Sequence, residues 1–272
     1  MRGETGLIKI KGSPISEIKD ITCVLGEWDS YKQELSKKLK KGQLEAQYID
    51  PFTGEYISRK EAIRSTYLIP SHLERGRIKA KDLISAWFKS SKRVEEIMFL
   101  LDIPDDFLDE LSDLNLAKVY FTPLFLNRTK FSIVEDIFQQ VEEQGKLKVL
   151  RVLSKIIKSR GLDALLFVSS TDLLPPCSSV FVMYEDEVVE TGSKLLHPYS
   201  MTIANSTIRI GRKGEKVNVV EVGRGSGSGC RFHDYCDVMR RSRELQRKCR
   251  LEKPPLISVG ESQVRCWNFL NH

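Results

Sequence analysis

Residues 165–200 read LLFVSSTDLLPPCSSVFVMYEDEVVETGSKLLHPYS. Ala164–Val168, which opens this stretch, is an unbroken apolar run, the pattern of a strand covered on both faces. Val180–Tyr184 and Val188–Glu190 are two more such runs, parted by Glu185-Asp186-Glu187, and they predict a hairpin. Upstream, Phe131–Val134 reads as a strand. Residues 143–159 carry Leu147, Leu150, Leu153 and Ile156 at helical spacing. Strands alternating with helices predict a layered α/β core.

The pattern continues toward the N-terminus. Residues 7–25 read as short strands around Ser13–Glu17, and Ile21–Leu25 is a buried-strand run ending at Gly26. Residues 29–41 are helical, with Leu35 and Leu39 four apart. Asp50–Gly54 is turn chemistry, and Ser65–Ile69 is a strand stopped by Pro70. Residues 80–127 read as mostly helical, broken at Pro104 and resumed near Ser112, with Leu83, Ala86, Trp87, Val94, Ile97, Met98 and Leu101 at helical spacing. Gly223–Gly229 reads as a Gly/Ser linker ahead of a cysteine-bearing tail.

The chain of 272 residues is 41% hydrophobic and 29% charged, the balance of a folded protein. No stretch approaches the roughly 18 apolar residues of a membrane span, and the N-terminal residues carry no apolar signal region. A cytoplasmic chain is therefore expected. The net charge of +6 is concentrated in Arg240, Arg241, Arg243, Arg247, Lys248, Arg250 and Lys253. No aromatic residues interleave with them. A solvated helix face beside an anionic metal centre is expected there, and no nucleic-acid partner.

Of the six cysteines, Cys23 and Cys177 lie in apolar surroundings and are expected to be buried small hydrophobes. Cys230, Cys236, Cys249 and Cys266 cluster in the tail with spacing C-x5-C-x12-C-x16-C. Four thiolates suit zinc or an iron–sulfur cluster. Structural zinc sites usually show tight C-x2–4-C pairs, and none occurs here.

From residue 165 to 268 the chain resembles the ATP-binding subunits of oligopeptide and dipeptide ABC transporters. Val182-Met183-Tyr184 followed by Val188–Gly192 matches that family's strand–turn–strand, and His197-Pro198-Tyr199-Ser200 its His-Pro-Tyr-Thr motif. Gly229-Cys230-Arg231-Phe232-His233, Cys236, Cys249, Glu252–Leu256 and Val264-Arg265-Cys266 follow its tail in order. The resemblance implies a four-iron (4Fe-4S) cluster on the four tail cysteines, with zinc as the alternative. It also implies a P-loop NTPase core over residues 1–200, a helical subdomain at about 72–116 and a small metal-binding C-terminal domain over 201–272.

In that family a G-x-x-x-x-G-K-S/T loop follows the first buried strand. Here Gly26, Glu27, Ser30 and Lys32 stand where the family has them. Trp28 and Asp29 replace a small residue and a glycine, Tyr31 replaces the glycine before the lysine, and Gln33 replaces the hydroxyl that would hold Mg²⁺. Loop glycines let backbone N–H groups turn toward phosphate, and Asp29 adds a like charge. The glutamine loop, expected near Tyr67–Pro70, has no glutamine. The signature appears as Leu111-Ser112-Asp113-Leu114-Asn115, without its glycines. The acidic pair Glu135-Asp136 stands in swapped order, and Ser170 and Thr171 occupy the place of the switch histidine.

What the resemblance implies is thus a degenerate nucleotide-binding subunit of a peptide importer. Its ATP hydrolysis would be absent or weak, and its use of ATP and Mg²⁺ is in doubt. It would sit at the cytoplasmic face of the cell membrane with a sister ATPase subunit, transmembrane permease subunits and a substrate-binding receptor. Trp87, Phe88 and Phe99 would pack in the core or meet the permeases. A working ATPase with unusual loops, and a soluble iron–sulfur or zinc protein on the same fold, are the alternative readings.

Overall fold

The computed structural model of the chain describes residues 7–10, 15–192, 194–206, 223, 225 and 227–270. In chain order the strands and helices are β1 (Leu7–Ile10), β2 (Glu17–Ile18), β3 (Ile21–Leu25), α1 (Ser30–Lys40), β4 (Ala46–Ile49), β5 (Tyr56–Ile57), α2 (Arg59–Ser65), β6 (Thr66–Ile69), α3 (Ala80–Trp87), α4 (Ser91–Leu101), α5 (Asp113–Phe121), β7 (Phe131–Val134), α6 (Glu143–Arg160), β8 (Asp163–Val168), β9 (Ser179–Tyr184), β10 (Glu187–Thr191), α7 (Pro198–Ser206), α8 (Arg243–Leu251), β11 (Ile257–Val259) and β12 (Ser262–Val264). The expected α/β class is the one found. The chain forms two compact units, residues 1–22 with 35–166 and residues 23–34 with 167–272.

In the first unit, β6, β7 and β8 run parallel, with Leu68 beside Ile133 and Ile133 beside Leu165. Every residue of β7 and β8 is buried. Parallel strands are covered on both faces, which is why these two read as unbroken apolar runs. A second, antiparallel sheet has the order β2-β1-β4-β5. Its short, half-exposed strands β4 and β5 left no strong periodicity to read. Helix α5 starts where expected, because the Ser112 hydroxyl accepts the Asn115 N–H and caps it. Helix α6 ends at Gly161, which adopts the left-handed conformation of a C-cap.

Two side chains depart from the expected core. Leu147 is 44% exposed, and the buried stripe of α6 runs instead through Val149, Leu150, Leu153, Ile156 and Ile157. Phe99 is 90% exposed, whereas Phe88 is buried and Trp87 sets its edge against Tyr67 and Tyr120.

In the second unit, β9 and β10 form the expected hairpin, and β10 continues antiparallel to β12 and β12 to β11. Cys23 and Cys177 are joined in a disulfide across 154 residues, which corrects their reading as unpaired hydrophobes. Their Cα atoms lie 5.8 Å apart, within the reach of a disulfide. A separation that long leaves no trace in local sequence. Closing so long a loop restrains the unfolded chain, so Cys177→Ser is expected to cost about 3 to 5 kcal/mol in urea titrations under oxidising conditions. Excess reductant should bring the wild type to the variant's stability, and equal midpoints throughout would refute the bond's contribution.

The Gly/Ser segment is not a free spacer where it is described. Gly225 N–H donates to Glu185 Oε1 at 2.8 Å. A Cβ on Gly229 would stand 2.1 Å from the Cys249 carbonyl oxygen, so only glycine fits against α8.

Candidate functional site

The second unit holds the loop Gly26–Gln33. Gly26 is fixed by crowding: a Cβ there would lie 2.2 Å from the Met183 carbonyl oxygen and 2.9 Å from Lys32 Cε. Its N–H donates to Val168 O at 3.0 Å. The next donor, Glu27 N–H, goes to the hydroxyl of Tyr199 at 3.1 Å. Asp29 then caps α1, its Oδ1 accepting the Lys32 N–H at 3.0 Å and its carbonyl accepting the Gln33 N–H at 3.1 Å.

The same carboxylate holds the lysine. Lys32 Nζ donates to Asp29 Oδ2 at 2.8 Å, and Lys32 is 1% exposed. Burial pulls the Lys32 ammonium below its ordinary value, and the Asp29 hydrogen bond and charge oppose that shift. A helix N-terminus with a buried lysine is an anion site in general chemistry. Here the anion is the loop's own carboxylate. Ser30 and the Gln33 side chain are exposed beside it, and Trp28 packs edge-on against Phe167 with centroids 5.0 Å apart.

The acidic pair belongs to the first unit. Glu135 has both carboxylate oxygens engaged, Oε1 by the Ser36 hydroxyl at 2.8 Å and Oε2 by the Ser71 N–H at 2.9 Å. Asp136 is 1% exposed and accepts Gln139 Nε2 at 3.3 Å. Asp113, in the place of a signature glycine, is bound to the Arg75 guanidinium and accepts the Glu142 N–H at 3.2 Å. In the second unit, the Ser170 hydroxyl accepts the Asp172 N–H at 3.4 Å. Asp29, Asp113, Glu135, Asp136 and Ser170 thus each have an internal partner.

The four tail cysteines converge within the second unit. All are buried, at 9, 7, 7 and 8% exposure in chain order. Cys230 N–H donates to Cys249 O at 2.7 Å. Burial pushes the Cys230 and Cys249 thiols up to about 12 and Cys266 up to about 11, and Cys236 is raised too. Mutual repulsion adds to burial, with Cys236 acting on each of the other three. Among the described residues, no three His, Cys, Asp or Glu side chains are set around a single metal ion. Four buried cysteine sulfurs are in kind the donor set of zinc or of an iron–sulfur cluster.

A buried carboxylate lies in the same unit. Glu190 accepts the N–H groups of Leu196 and His197 and the Ser200 hydroxyl, capping α7. His197 Nδ1 accepts the Tyr199 N–H at 3.1 Å, and its ring makes a further hydrogen bond with the backbone of Arg265, next to Cys266. The His-Pro-Tyr-Ser motif is therefore a brace between α7 and the last cysteine strand. Sequence reading found the motif but missed Glu190 and the Tyr199 hydroxyl, which no spacing rule connects to residue 27.

Complete burial pushes the His197 imidazole down to about 3. The unfolded chain takes up a proton on this residue below about pH 6.5 and the folded chain does not. Its contribution is therefore whole above pH 6.5 and lost as pH falls toward 3, by about 1.4 kcal/mol per pH unit. Burial raises the neighbouring Glu190 carboxyl, an effect of opposite sign. Comparing the stability of His197→Asn and wild type from pH 7 to pH 4 isolates the histidine. A variant as acid-sensitive as the parent would contradict the assignment.

No protein-family model matches the chain, and no curated protein matches it. Among solved structures it is similar to one described as an ABC transporter ATP-binding protein from Pyrococcus furiosus. The match has a TM-score of 0.51 at 16% identity, over 68% of this chain and 100% of that one. Identity that low speaks to fold alone, which this chain shares with that structure over the matched part.

Proposed function

We propose that this chain is a nucleotide-silent ATP-binding-cassette subunit of a peptide-type importer. It works at the cytoplasmic face of the membrane beside an active sister ATPase subunit and transmembrane permease subunits, served by a substrate-binding receptor. The observation that carries this reading is the Asp29–Lys32 ion pair. It places a fixed negative charge and a consumed lysine where a nucleotide phosphate would need an open cradle. The internal partners of Glu135 and Asp113 support it.

In this reading Cys230, Cys236, Cys249 and Cys266 hold a four-iron cluster. Bound there, the cluster would supply a covalent tie among four segments of a tail too small to build its own core. The role given to it is structural.

The test is equilibrium binding of a non-hydrolysable ATP analogue with Mg²⁺ to the full chain. No saturation up to millimolar nucleotide is expected. Saturable binding that Lys32→Ala abolishes would replace this reading with that of a working ATPase. Recovery of the tagged chain alone, without permease or sister subunits, would favour a separate soluble protein.

A further inference from the structure

The second unit joins the cysteine segment to the loop through a buried stack of rings. Phe232 lies two residues after Cys230 and four before Cys236, and it is 1% exposed. Its centroid is 5.4 Å from Tyr184, 5.5 Å from Tyr199 and 5.9 Å from His197. Tyr184 and Tyr199 are 4.8 Å apart. The Tyr199 hydroxyl is the acceptor for Glu27 N–H, and a Cβ on Gly26 would stand 3.3 Å from it. Interiors this closely packed move between discrete arrangements rather than deforming smoothly. Where the Phe232 ring sits therefore decides where the Tyr199 hydroxyl sits.

We infer that Tyr199 is a positioning residue that latches the Gly26–Lys32 loop shut, and that the four-cysteine segment sets the latch through Phe232. The link runs from Cys230 through the Phe232 and Tyr199 rings to the Glu27 amide. It consumes a loop N–H that would otherwise be available to a phosphate oxygen. Ligation would tie Cys230 and Cys236 on either side of Phe232 and restrain the ring. Without it the ring would be held by its packing alone. This inference rests on the proposed metal centre, and it assigns that centre an effect on the loop.

Hydrogen exchange at the Glu27 amide of the full chain tests it, with metal content measured on each sample. In the metal-loaded wild type the amide is expected to be protected, and chelation should speed its exchange about tenfold, the worth of one hydrogen bond. Tyr199→Phe keeps the ring and removes the hydroxyl. Its metal content should be unchanged, and its Glu27 exchange should be fast with or without metal. Phe232→Leu, which keeps an apolar side chain, should speed exchange in the same way.

Slow exchange in Tyr199→Phe, or a Glu27 amide that still responds to metal in that variant, would overturn the latch. So would an unchanged amide in Phe232→Leu. If the wild type binds no metal, the metal reading fails by that measurement. The ring contact is then still decided by Tyr199→Phe and Phe232→Leu.

Discussion

Purified without oxygen, the full chain is expected to be brown and to carry about four irons, and Cys236→Ser is expected to lose both colour and iron. Cys236 is the variant of choice because its charge bears on each of Cys230, Cys249 and Cys266. Burial raises the Cys230, Cys249 and Cys266 thiols to about 11 or 12, so metal binding there would release their protons and weaken as pH falls. Four sulfurs gathered in a small tail are a donor set suited to a soft metal centre.

Loss of one ligand should also loosen the tail. Structural metals supply folding free energy of order 10 kcal/mol in small domains, so limited proteolysis should cut Cys236→Ser within residues 223–270 while sparing residues 35–166. Iron retained in Cys236→Ser, or zinc in the wild type at one atom per chain, would sink the cluster assignment. The Cys23–Cys177 disulfide does not conflict with reduced thiols elsewhere. Cys23 is fully buried, and exchange requires that a thiolate reach the sulfur.

What could be read from sequence follows from how local each signal is. The strands β3, β7 and β8, the hairpin β9–β10 and the helices α1 and α6 declare themselves in runs of apolar residues, because burial on one or two faces imposes a period. Strands β4 and β5 and the short helix α2 are half exposed and carry no such period. The four tail cysteines were legible because thiols are rare and their spacing is close. The disulfide was not, since its partners are 154 residues apart. The loop shows both limits. Its altered residues could be read directly, and Asp29 was seen as an obstacle to phosphate. That Asp29 would turn inward, cap α1 and take Lys32 as its own counter-ion depends on a rotamer. That Tyr199 would claim the Glu27 amide depends on packing across 172 residues.

The second large effect is expected at Asp29 itself. Asp29→Ala removes the cap of α1, worth about 1 kcal/mol, and strands a lysine that is 1% exposed. Breaking a buried ion pair costs about 3–5 kcal/mol, but Asp29 is 30% exposed, so the lower part of that range applies. A total loss of about 3 kcal/mol by urea titration at pH 7 is expected. Asp29→Asn separates the two causes, since asparagine caps as well as aspartate. It should therefore recover only the capping share.

The decisive arm is inorganic phosphate. If the Asp29 carboxylate fills an anion position, Asp29→Ala should regain stability as phosphate is added, about 1.4 kcal/mol at ten times its dissociation constant. The wild type, with that position occupied, should show no such dependence. A variant as stable as wild type would mean that Lys32 does not rely on Asp29. A variant weakened but indifferent to phosphate would mean that the loop has lost the rest of its anion-binding geometry as well. A phosphate response confined to Asp29→Ala would identify one carboxylate as the main block on an otherwise competent cradle.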